Sequence, residues 1–272
     1  MRYAIFDPTG NVTALVEDPV ARDLHQAVAR RIMVAHPEVE QVGFVESGPC
    51  GGASGRLTMA GGEFCGNATM SAAALLALRG HVGSDPGALS LRLWVSGARD
   101  PVEVRMRSID GTTFEGAVRM PPARSVKRVV LAWADVSAEV PVVFMEGISH
   151  AVVDEGSPFA RLAGVPEEAE AAVRAWCATL GADGLGIMFL DREGSERTLT
   201  PLVFVPGADT CFWERSCASG TSACGMYEAA LSGGAVDLAC REPGGILRVT
   251  SEPEGPTWLF GHVRETGRFE LA

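Results

Sequence analysis

Two of the seven cysteines occupy the same local setting, and this setting is suited to acid–base chemistry. Cys65 is followed by Gly66-Asn67 and Cys217 by Ala218-Ser219, in each case where a strand-like segment gives way to a helix-like run of small residues. The first turn of a helix leaves backbone N–H groups unpaired, and these groups and the helix dipole attract anions. They also lower the pKa of a thiol held there. Each cysteine is therefore predicted to be an activated group beside a carboxylate-binding site.

A pair of such thiols suits the inversion of a stereocentre. A planar carbanion needs a base on one face and an acid on the other, and a thiolate and a thiol serve in either order. If the two helix starts face each other, their backbone donors stabilise the charge that develops as the α-proton leaves. The sequence therefore predicts an amino-acid racemase or epimerase in which Cys65 and Cys217 exchange roles.

Two other classes of protein would use these residues differently. A cysteine hydrolase or acyltransferase needs one thiol as a nucleophile, activated by a histidine such as His150, and leaves the second cysteine helix without a role. A ligand-binding protein would keep the anion-binding helix starts and need neither thiol. Replacing Cys65 and Cys217 singly separates the three, because only the two-base enzyme requires both.

The two cysteine segments belong to an internal duplication. They are CGNATMSAAALLALRG and CASGTSACGMYEAALSGG, and in each a threonine stands four residues after the cysteine and a glycine ends the helix-like run. A proline-glycine turn and a strand-like segment follow in both, at PGALSLRLWV and PGGILRVT. Upstream, EQVGFV from Glu40 resembles DGLGIMF from Asp183. Two matches in the same order favour two similar lobes whose cysteine helices meet.

Alternating apolar segments predict many strands and few helices. The predicted strands are RYAIFD, QVGFV, RLTMA, VEVRMRS and FEGAVRM, then VKRVVLAW, VPVVFM, LGIMFL, LTPLVFVP and WLFGHV. Helices are predicted in DPVARDLHQAVARRIMVA, PEEAEAAVRAWCATLG and the two cysteine segments. This pattern is typical of the α+β class. Pro121-Pro122 is the predicted boundary between a domain over residues 1–120 and one over residues 121–262.

Composition narrows the partners. A net charge of −11 without a Lys/Arg cluster argues against nucleic acid. No apolar run approaches the roughly 18 residues of a membrane span, and Asp7 and Pro8 interrupt the segment where a signal peptide would be apolar. A small-molecule substrate and a cytoplasmic location are expected, and a homodimer is compatible with the sequence.

The chain is predicted to work without a cofactor or a metal ion. Lys127 is its only lysine and lies in the basic segment PPARSVKRVV, a poor setting for the Schiff base of pyridoxal phosphate. No CxxC pair is present, so the spacing of a structural zinc site is missing. Five cysteines have no counterpart in the other half and are interpreted as packing residues with free thiols: Cys50, Cys177, Cys211, Cys224 and Cys240.

The motifs GGEFCGNAT, ERSCASGTSA and FDPTGN resemble those of the diaminopimelate epimerase and proline racemase superfamily. Cys65-Gly66-Asn67 corresponds to the family's first motif, Cys-Gly-Asn, and Cys217-Ala218-Ser219-Gly220 to its second, Cys-Gly-Thr/Ser-Gly. The resemblance covers both halves. It implies two pseudo-symmetric domains, each a curled, mostly antiparallel sheet around a central helix, with residues from about 263 to 272 returning to the first domain.

The resemblance also implies a set of substrate-binding residues. Asn11 and the Glu214-Arg215 pair would lie beside the substrate. The backbone next to both cysteines would hold the α-carboxylate, and the positions expected in contact with the substrate there are Gly66, Asn67, Ala218, Ser219 and Gly220.

Departures from the family pattern concern the substrate. Diaminopimelate epimerases carry a Gly-Asn-Pro-His motif whose asparagine binds the distal amino-acid end, whereas this chain has Gly147-Ile148-Ser149-His150. Asn11 and Asn67 are its only asparagines. A distal zwitterion would lack polar partners, which argues against diaminopimelate and leaves other epimerase substrates open. The segment MAGGEFCGNAT most resembles the histidine racemases that supply D-histidine for opine-type metal carriers.

A histidine substrate requires a group that binds imidazole. Glu40, in the Glu-Gln pair that matches the family's Asp-Gln, is the first candidate, and Glu46 is the second. His150, just after VPVVFMEG, is interpreted as a structural histidine rather than a catalytic one.

Overall fold

The computed structural model describes residues 1–80, 89–193 and 196–271, which form sixteen strands and four α-helices. The strands are β1 (Arg2–Asp7), β2 (Thr13–Val16), β3 (Gln41–Cys50), β4 (Ala53–Met59), β5 (Leu89–Val95), β6 (Val102–Ser108), β7 (Thr113–Met120), β8 (Ser125–Trp133), β9 (Val136–Phe144), β10 (Ser149–Asp154), β11 (Leu185–Glu193), β12 (Glu196–Val205), β13 (Thr210–Trp213), β14 (Val236–Glu242), β15 (Gly245–Ser251) and β16 (Thr257–Glu270). The helices are α1 (His25–Ala35), α2 (Gly66–Leu78), α3 (Pro166–Leu180) and α4 (Ala218–Ser232). The predicted turn at Pro86-Gly87 lies outside the described residues.

The predicted α+β class is confirmed, and every predicted strand and helix is present. The first helix begins later than predicted, because the Asp18 carboxylate accepts hydrogen bonds from the backbone and guanidinium of Arg2 instead of capping a helix. A 3-10 turn over Arg22–Leu24 precedes α1 instead. The short strands β2 and β10, which were not predicted, are parallel partners of β3 and β11 and almost entirely buried. Continuous burial removes the alternation that marks a strand in the sequence.

The two halves repeat one order of strand pairings, which confirms the predicted duplication. In the first half β1 pairs antiparallel with β2, β2 parallel with β3 across α1, and β4 parallel with β5 across α2. The same scheme recurs in the second half, where β9 pairs antiparallel with β10, β10 parallel with β11 across α3, and β12 parallel with β14 across α4. The cysteine helices α2 and α4 therefore occupy equivalent positions.

Each cysteine helix is enclosed by strands of the one continuous sheet. The strands of the first half form a ring around α2, because β16 pairs with both β7 and β1. All residues of α2 from Gly66 to Leu76 are buried, and so are those of α4 from Ala218 to Tyr227. A helix surrounded in this way needs small and apolar residues on every side, which explains the Ala-rich composition of both segments.

The long strand β16 joins the halves. It pairs with β15 over Trp258–Phe260, with β7 over Thr257–Arg264, and with β1 over Arg264–Glu270. Domain limits of 1–120 and 121–262 with a returning C-terminal segment remain our proposal, and Ala272 lies outside the described residues.

Glycines allow the backbones of the two halves to touch. A Cβ atom on Gly10 would lie 2.5 Å from the Cα of Gly244, and one on Gly147 would lie 2.8 Å from the Cα of Gly97. Gly10 and Gly147 occupy equivalent turns of the repeat, before β2 and β10, and Gly97 and Gly244 occupy the turns after β5 and β14. The two contacts are therefore related by a pseudo-twofold axis between the halves.

A third glycine contact lies on that axis. Gly61 follows β4 and Gly207 follows the equivalent strand β12, and a Cβ atom on Gly207 would lie 2.7 Å from the Gly61 carbonyl oxygen. Side chains at these positions would hold the halves apart. The glycines thus fix the approach of the two cysteine helices.

Candidate active site

Both cysteines are the residues that begin their helices, as the sequence predicts. Cys65 is the N-cap of α2, and its Sγ accepts a hydrogen bond from the Ala68 N–H at 3.3 Å. Cys217 is the N-cap of α4. The hydroxyl groups of Thr69 and Thr221 donate to the carbonyls of Cys65 and Cys217 at 2.6 and 2.9 Å. The threonine four residues after each cysteine therefore secures the same helix start in both halves.

The two helix starts face each other across the interface. A Cβ atom on Gly66 would lie 2.9 Å from the Cβ of Ala218, and each of these residues directly follows its cysteine. The Asn67 Nδ2 donates to the carbonyl of Ser216, in the other half, at 3.1 Å. The sequence prediction that the two cysteine helices meet is confirmed.

Polar atoms without partners gather at this junction. Among the described residues, Asn67 Oδ1, Ser216 Oγ and Glu63 Oε2 are enclosed and have no hydrogen-bond partner. Native proteins satisfy nearly all buried polar groups, so a cluster of exceptions needs an explanation. The first turns of α2 and α4 add unpaired N–H groups at the same place. This junction has the donors and acceptors to bind a small polar ligand.

Asn11 is held in place by its neighbours. Its Nδ2 donates to Glu40 Oε2 at 2.6 Å, while its Oδ1 accepts from Gln41 Nε2 at 2.5 Å and from Asn67 Nδ2 at 3.2 Å. The network links the predicted residues Asn11, Glu40 and Asn67 and adds Gln41. Their hydrogen bonds fix the orientation of the Asn67 amide at the start of α2.

Two glutamates lie against Cys217. The Cys217 N–H donates to Glu242 Oε2 at 2.6 Å, and the Thr221 hydroxyl also donates to the Glu242 carboxylate. The Cys217 Sγ lies 3.7 Å from Ser219 Oγ, within hydrogen-bonding distance, and the Glu214 carboxyl group also interacts with the Cys217 thiol. Burial raises the pKa of Glu214 and that of Glu242 to about 8 each. Both carboxyls therefore take up protons far more readily than a solvent-exposed glutamate.

Glu242 was missed by the sequence analysis. It ends β14, and the turn equivalence of Gly97 and Gly244 places Val95 at the matching position of the first half. A comparison of the two repeats could have identified Glu242, because a glutamate stands there at an inward-facing strand position where the first half has valine.

Burial dominates the electrostatics of both thiols. It raises the pKa of Cys65 to about 12, with the Glu214 and Glu63 carboxylates acting in the same direction. It raises the pKa of Cys217 well above its usual value, with Glu214 and Glu242 adding to the effect. The predicted lowering of the thiol pKa values is therefore wrong for the ligand-free site, because desolvation and nearby carboxylates outweigh the helix dipole. A cationic ligand would shift both thiols towards thiolate.

A cavity of about 340 Å³ lies next to residues that lead to the two helix starts: its lining includes Glu63, two residues before Cys65, and Glu214, three residues before Cys217, but neither cysteine. This volume falls within the range of about 300–1,000 Å³ typical of small-molecule sites. Both halves line it, the first with Glu40, Gln41 and Glu63 and the second with Phe212 and Glu214. The whole lining includes four acidic side chains, Glu40, Glu63, Asp209 and Glu214, and one basic side chain, Arg30, which gives the cavity an acidic character.

A family model described as the histidine racemase CntK N-terminal domain matches residues 1–257. The chain belongs to this family. The histidine racemase of Staphylococcus aureus is 30% identical over 255 residues, which cover 93% of this chain and 89% of that protein. The match to the histidine racemase family spans both cysteine helices.

Solved structures share the fold of this histidine racemase family member. A probable proline racemase from Agrobacterium radiobacter with bound carbonate aligns with a TM-score of 0.72 at 14% identity, covering 100% of this chain and 92% of that chain. A hydroxyproline epimerase from Agrobacterium vitis with bound trans-4-hydroxy-L-proline aligns with a TM-score of 0.68 at 14% identity, covering 99% and 91%. These structures confirm the predicted two-lobed fold.

Some sequence candidates lie apart from the cavity. Glu46 is exposed on β3, and the Arg215 side chain is exposed, although the Arg215 backbone N–H donates to Glu40. His150 lies on β10 and is completely buried. Burial lowers the pKa of His150 to about 3, so the ring is neutral, and neither ring nitrogen has a hydrogen-bond partner within the described chain. Glu46 and His150 therefore do not meet the two thiols at the helix junction.

The described residues hold neither a cluster of metal ligands nor a membrane-spanning helix. Within residues 1–80, 89–193 and 196–271, no three His, Cys, Asp or Glu side chains are grouped so as to hold a metal ion. No helix in the same ranges is both long enough and apolar enough to span a bilayer. All seven cysteines are free thiols, as predicted from their odd number.

We expect Glu242→Ala to destabilise this histidine racemase family member by about 2–4 kcal/mol, because it leaves the Cys217 N–H and the Thr221 hydroxyl without their buried partner and opens a cavity. Glu242→Gln keeps the shape and one acceptor and is the matched control, expected within about 1 kcal/mol of wild type at pH 6. Urea unfolding followed by circular dichroism measures both changes. Equal losses in the two variants would contradict this role.

A comparison of wild type with Glu242→Gln also reports the protonation of Glu242. Its folded-state pKa of about 8 lies above the ordinary value of 4.5, so the native protein holds a proton that the unfolded chain has lost. The stabilisation is full below about pH 4.5, decreases as the pH rises and is lost above about pH 8. Glu242→Gln lacks this dependence, so its stability relative to wild type should increase between pH 6 and 9.

Proposed function

We propose that this protein is a cofactor-independent racemase that converts L-histidine to D-histidine by moving the α-proton between Cys65 and Cys217. The observation that carries the proposal is the pair of facing helix starts, each begun by a cysteine, beside one acidic cavity. Membership of the histidine racemase family supports the substrate.

The substrate carboxylate is assigned to the unpaired N–H groups of the two first turns, around Gly66-Asn67 and Ala218-Ser219-Gly220. Such donors hold an anion at both helix dipoles and stabilise negative charge as the α-carbon becomes planar. The α-ammonium is assigned to the unpartnered oxygens Asn67 Oδ1 and Ser216 Oγ. With these contacts the α-carbon is proposed to lie between the two thiols.

Proton transfer then needs only the two cysteines. The thiolate on one face removes the α-proton and becomes a thiol, and the thiol on the other face donates its proton to the planar carbanion and becomes a thiolate. The substrate ammonium offsets the burial that raises both thiol pKa values. Glu214, bonded to the Cys217 thiol, is proposed to orient it. No step of this proposed reaction uses pyridoxal phosphate.

We place the reaction in the cytoplasm, where reducing conditions keep two neighbouring thiols from forming a disulfide. D-histidine made there is proposed to feed the biosynthesis of an opine-type metallophore. The hydrolase alternative gains no support, since His150 is buried, neutral and without a partner in the described chain.

The reduced protein, without added cofactor, should be incubated in D2O with L-histidine, diaminopimelate and a panel of other L-amino acids. Chiral chromatography coupled to mass spectrometry follows inversion and deuterium at the α-carbon. D-histidine carrying one α-deuterium is the expected product. Inversion of another amino acid but not histidine would overturn the substrate, and absence of exchange throughout would overturn the racemase.

A further inference from the structure

Three glutamates line the cavity, but their carboxylates differ in how they are engaged. Glu40 Oε2 accepts from Asn11 at 2.6 Å, and Glu214 is bonded to the Cys217 thiol. Glu63 Oε2 is enclosed and has no hydrogen-bond partner among the described residues. The first two carboxylates are thus engaged by side chains, Glu40 by Asn11 and Glu214 by Cys217. The Glu63 carboxylate accepts from the backbone N–H groups of Glu63 and Gly61, and its Oε2 remains as an acceptor for a ligand.

The position of Glu63 Oε2 places it against the apolar wall of the cavity. A Cβ atom built on Gly61 would lie 2.5 Å from Glu63 Oε2, 2.8 Å from Val205 Cγ1 and 3.0 Å from Ala208 Cβ. Gly61, Val205 and Ala208 all line the cavity, the last two from the second half. An acceptor beside an apolar wall suits a flat ring that carries an N–H on one edge.

The ionisable groups around the cavity favour a ligand that brings a proton. Its ionisable lining consists of Glu40, Glu63, Asp209 and Glu214 against a single guanidinium, that of Arg30 on α1. Burial raises the pKa of Glu63, and the Glu63 carboxylate in turn raises the pKa of Cys65 two residues later. A ligand that brings a proton to Glu63 therefore relieves an unfavourable concentration of negative charge next to the catalytic base.

We propose that Glu63 binds the imidazole of the substrate, with one proton shared between its carboxyl group and a ring nitrogen. The inference rests on the proposed function, and Glu63 replaces Glu40 as the side-chain recognition residue. Glu63 stands two residues before Cys65, so a ring held at its carboxylate keeps the attached α-carbon near the thiol. An aliphatic side chain would leave the buried carboxyl group unpaired and be rejected.

The shared proton gives the pair a distinctive pH dependence. Neutral imidazole can donate its own N–H to the Glu63 carboxylate, but the charge-assisted pair of imidazolium and carboxylate holds one proton more. At a pH above the pKa values of both the free imidazole, about 6.5, and free Glu63, that pair must take up this proton, so its contribution to binding falls by up to about tenfold per pH unit. Glutamine at position 63 accepts a hydrogen bond from neutral imidazole without a proton. The advantage of wild type over Glu63→Gln must therefore shrink as the pH rises.

The test compares wild type, Glu63→Gln and the control Glu46→Gln, an exposed glutamate on β3 outside the cavity. Racemisation of L-histidine is measured from pH 6 to 9. We expect Glu63→Gln to raise KM about 10- to 100-fold at pH 6.5 with a smaller change in kcat, and the ratio of wild-type to variant kcat/KM to fall with pH. Glu46→Gln should match wild type.

A second measurement does not depend on the folding of the variant. Wild-type enzyme is given L-β-(2-thienyl)alanine, whose ring lacks nitrogen, and its KM is expected about 10- to 100-fold above that of histidine. Equal KM values for the two substrates, or a Glu63→Gln variant with wild-type KM and pH profile, would overturn the inference while the proposed function stands. Absence of histidine racemisation by wild type would instead overturn the proposed function.

Discussion

Replacing either Cys65 or Cys217 with serine is expected to lower histidine racemisation by about a thousandfold or more. Each thiol is proposed to face one side of the α-carbon, and a serine hydroxyl is a far weaker acid than a thiol at neutral pH. General acid–base groups contribute about 10²- to 10⁴-fold each, so the loss of either one stalls the reaction in both directions. Loss of optical rotation from L-histidine measures the rate.

The matched control is Cys50→Ser. Cys50 ends β3, is partly exposed and has no counterpart in the other half, so this variant should keep wild-type activity. Retention of full activity by one of the two catalytic-site variants would contradict the two-base mechanism and favour a single nucleophile. Retention by both would leave a ligand-binding protein as the better interpretation. Thermal unfolding of each variant separates loss of chemistry from loss of fold.

The local parts of the site could be predicted from the sequence. The positions of Cys65 and Cys217 at helix starts follow from small-residue runs and the repeat, and both are confirmed. The involvement of Asn11 and Asn67 came from the family resemblance, and the Asn67–Asn11 hydrogen bond brings them together. These features depend on residues close in the sequence or on family motifs whose residues have known positions in the fold.

The remaining features depend on contacts between distant segments. Glu63 lies inside the motif GGEFCGNAT, yet only the burial of its Oε2 and its place in a cavity lined also by Val205 and Ala208, from the other half, distinguish it from a solvated glutamate. The predicted direction of the thiol pKa shifts was wrong for the same reason. The position of Cys65 at a helix start is a local feature and lowers its pKa. Burial is a property of the assembled fold, and it raises the pKa by a larger amount.

The glycine contacts explain how the fold turns two similar halves into one site. The helix starts of α2 and α4 are useful only if they approach closely, and that approach is set where backbones touch at Gly10–Gly244, Gly97–Gly147 and Gly61–Gly207. A Cβ atom on Gly97 would lie 2.4 Å from the Phe64 nitrogen and 2.8 Å from the Glu63 carbonyl carbon. This contact therefore fixes the backbone that presents both Glu63 and Cys65.

We expect Gly97→Ala to destabilise the protein by more than about 3 kcal/mol and to lower the activity of the remaining folded enzyme about 100-fold. The new Cβ meets backbone atoms that cannot rotate away, and a shift of about 1 Å in a catalytic group costs roughly this factor. The backbone at Gly97, with φ of 73°, also disfavours a side chain. Urea unfolding and the kcat of the folded fraction measure the two effects.

Gly233→Ala is the matched control for this substitution. Gly233 caps α4 with φ of 68°, close to that of Gly97, but a Cβ atom there would meet no atom within 4 Å. Its cost is then the left-handed backbone alone, about 1–2 kcal/mol, with unchanged kcat. If the two variants lost equal stability and both kept full kcat, the glycine contact would not position the cysteine. A larger loss in Gly97→Ala, in both quantities, assigns the geometry of the thiol pair to the close approach of the two backbones.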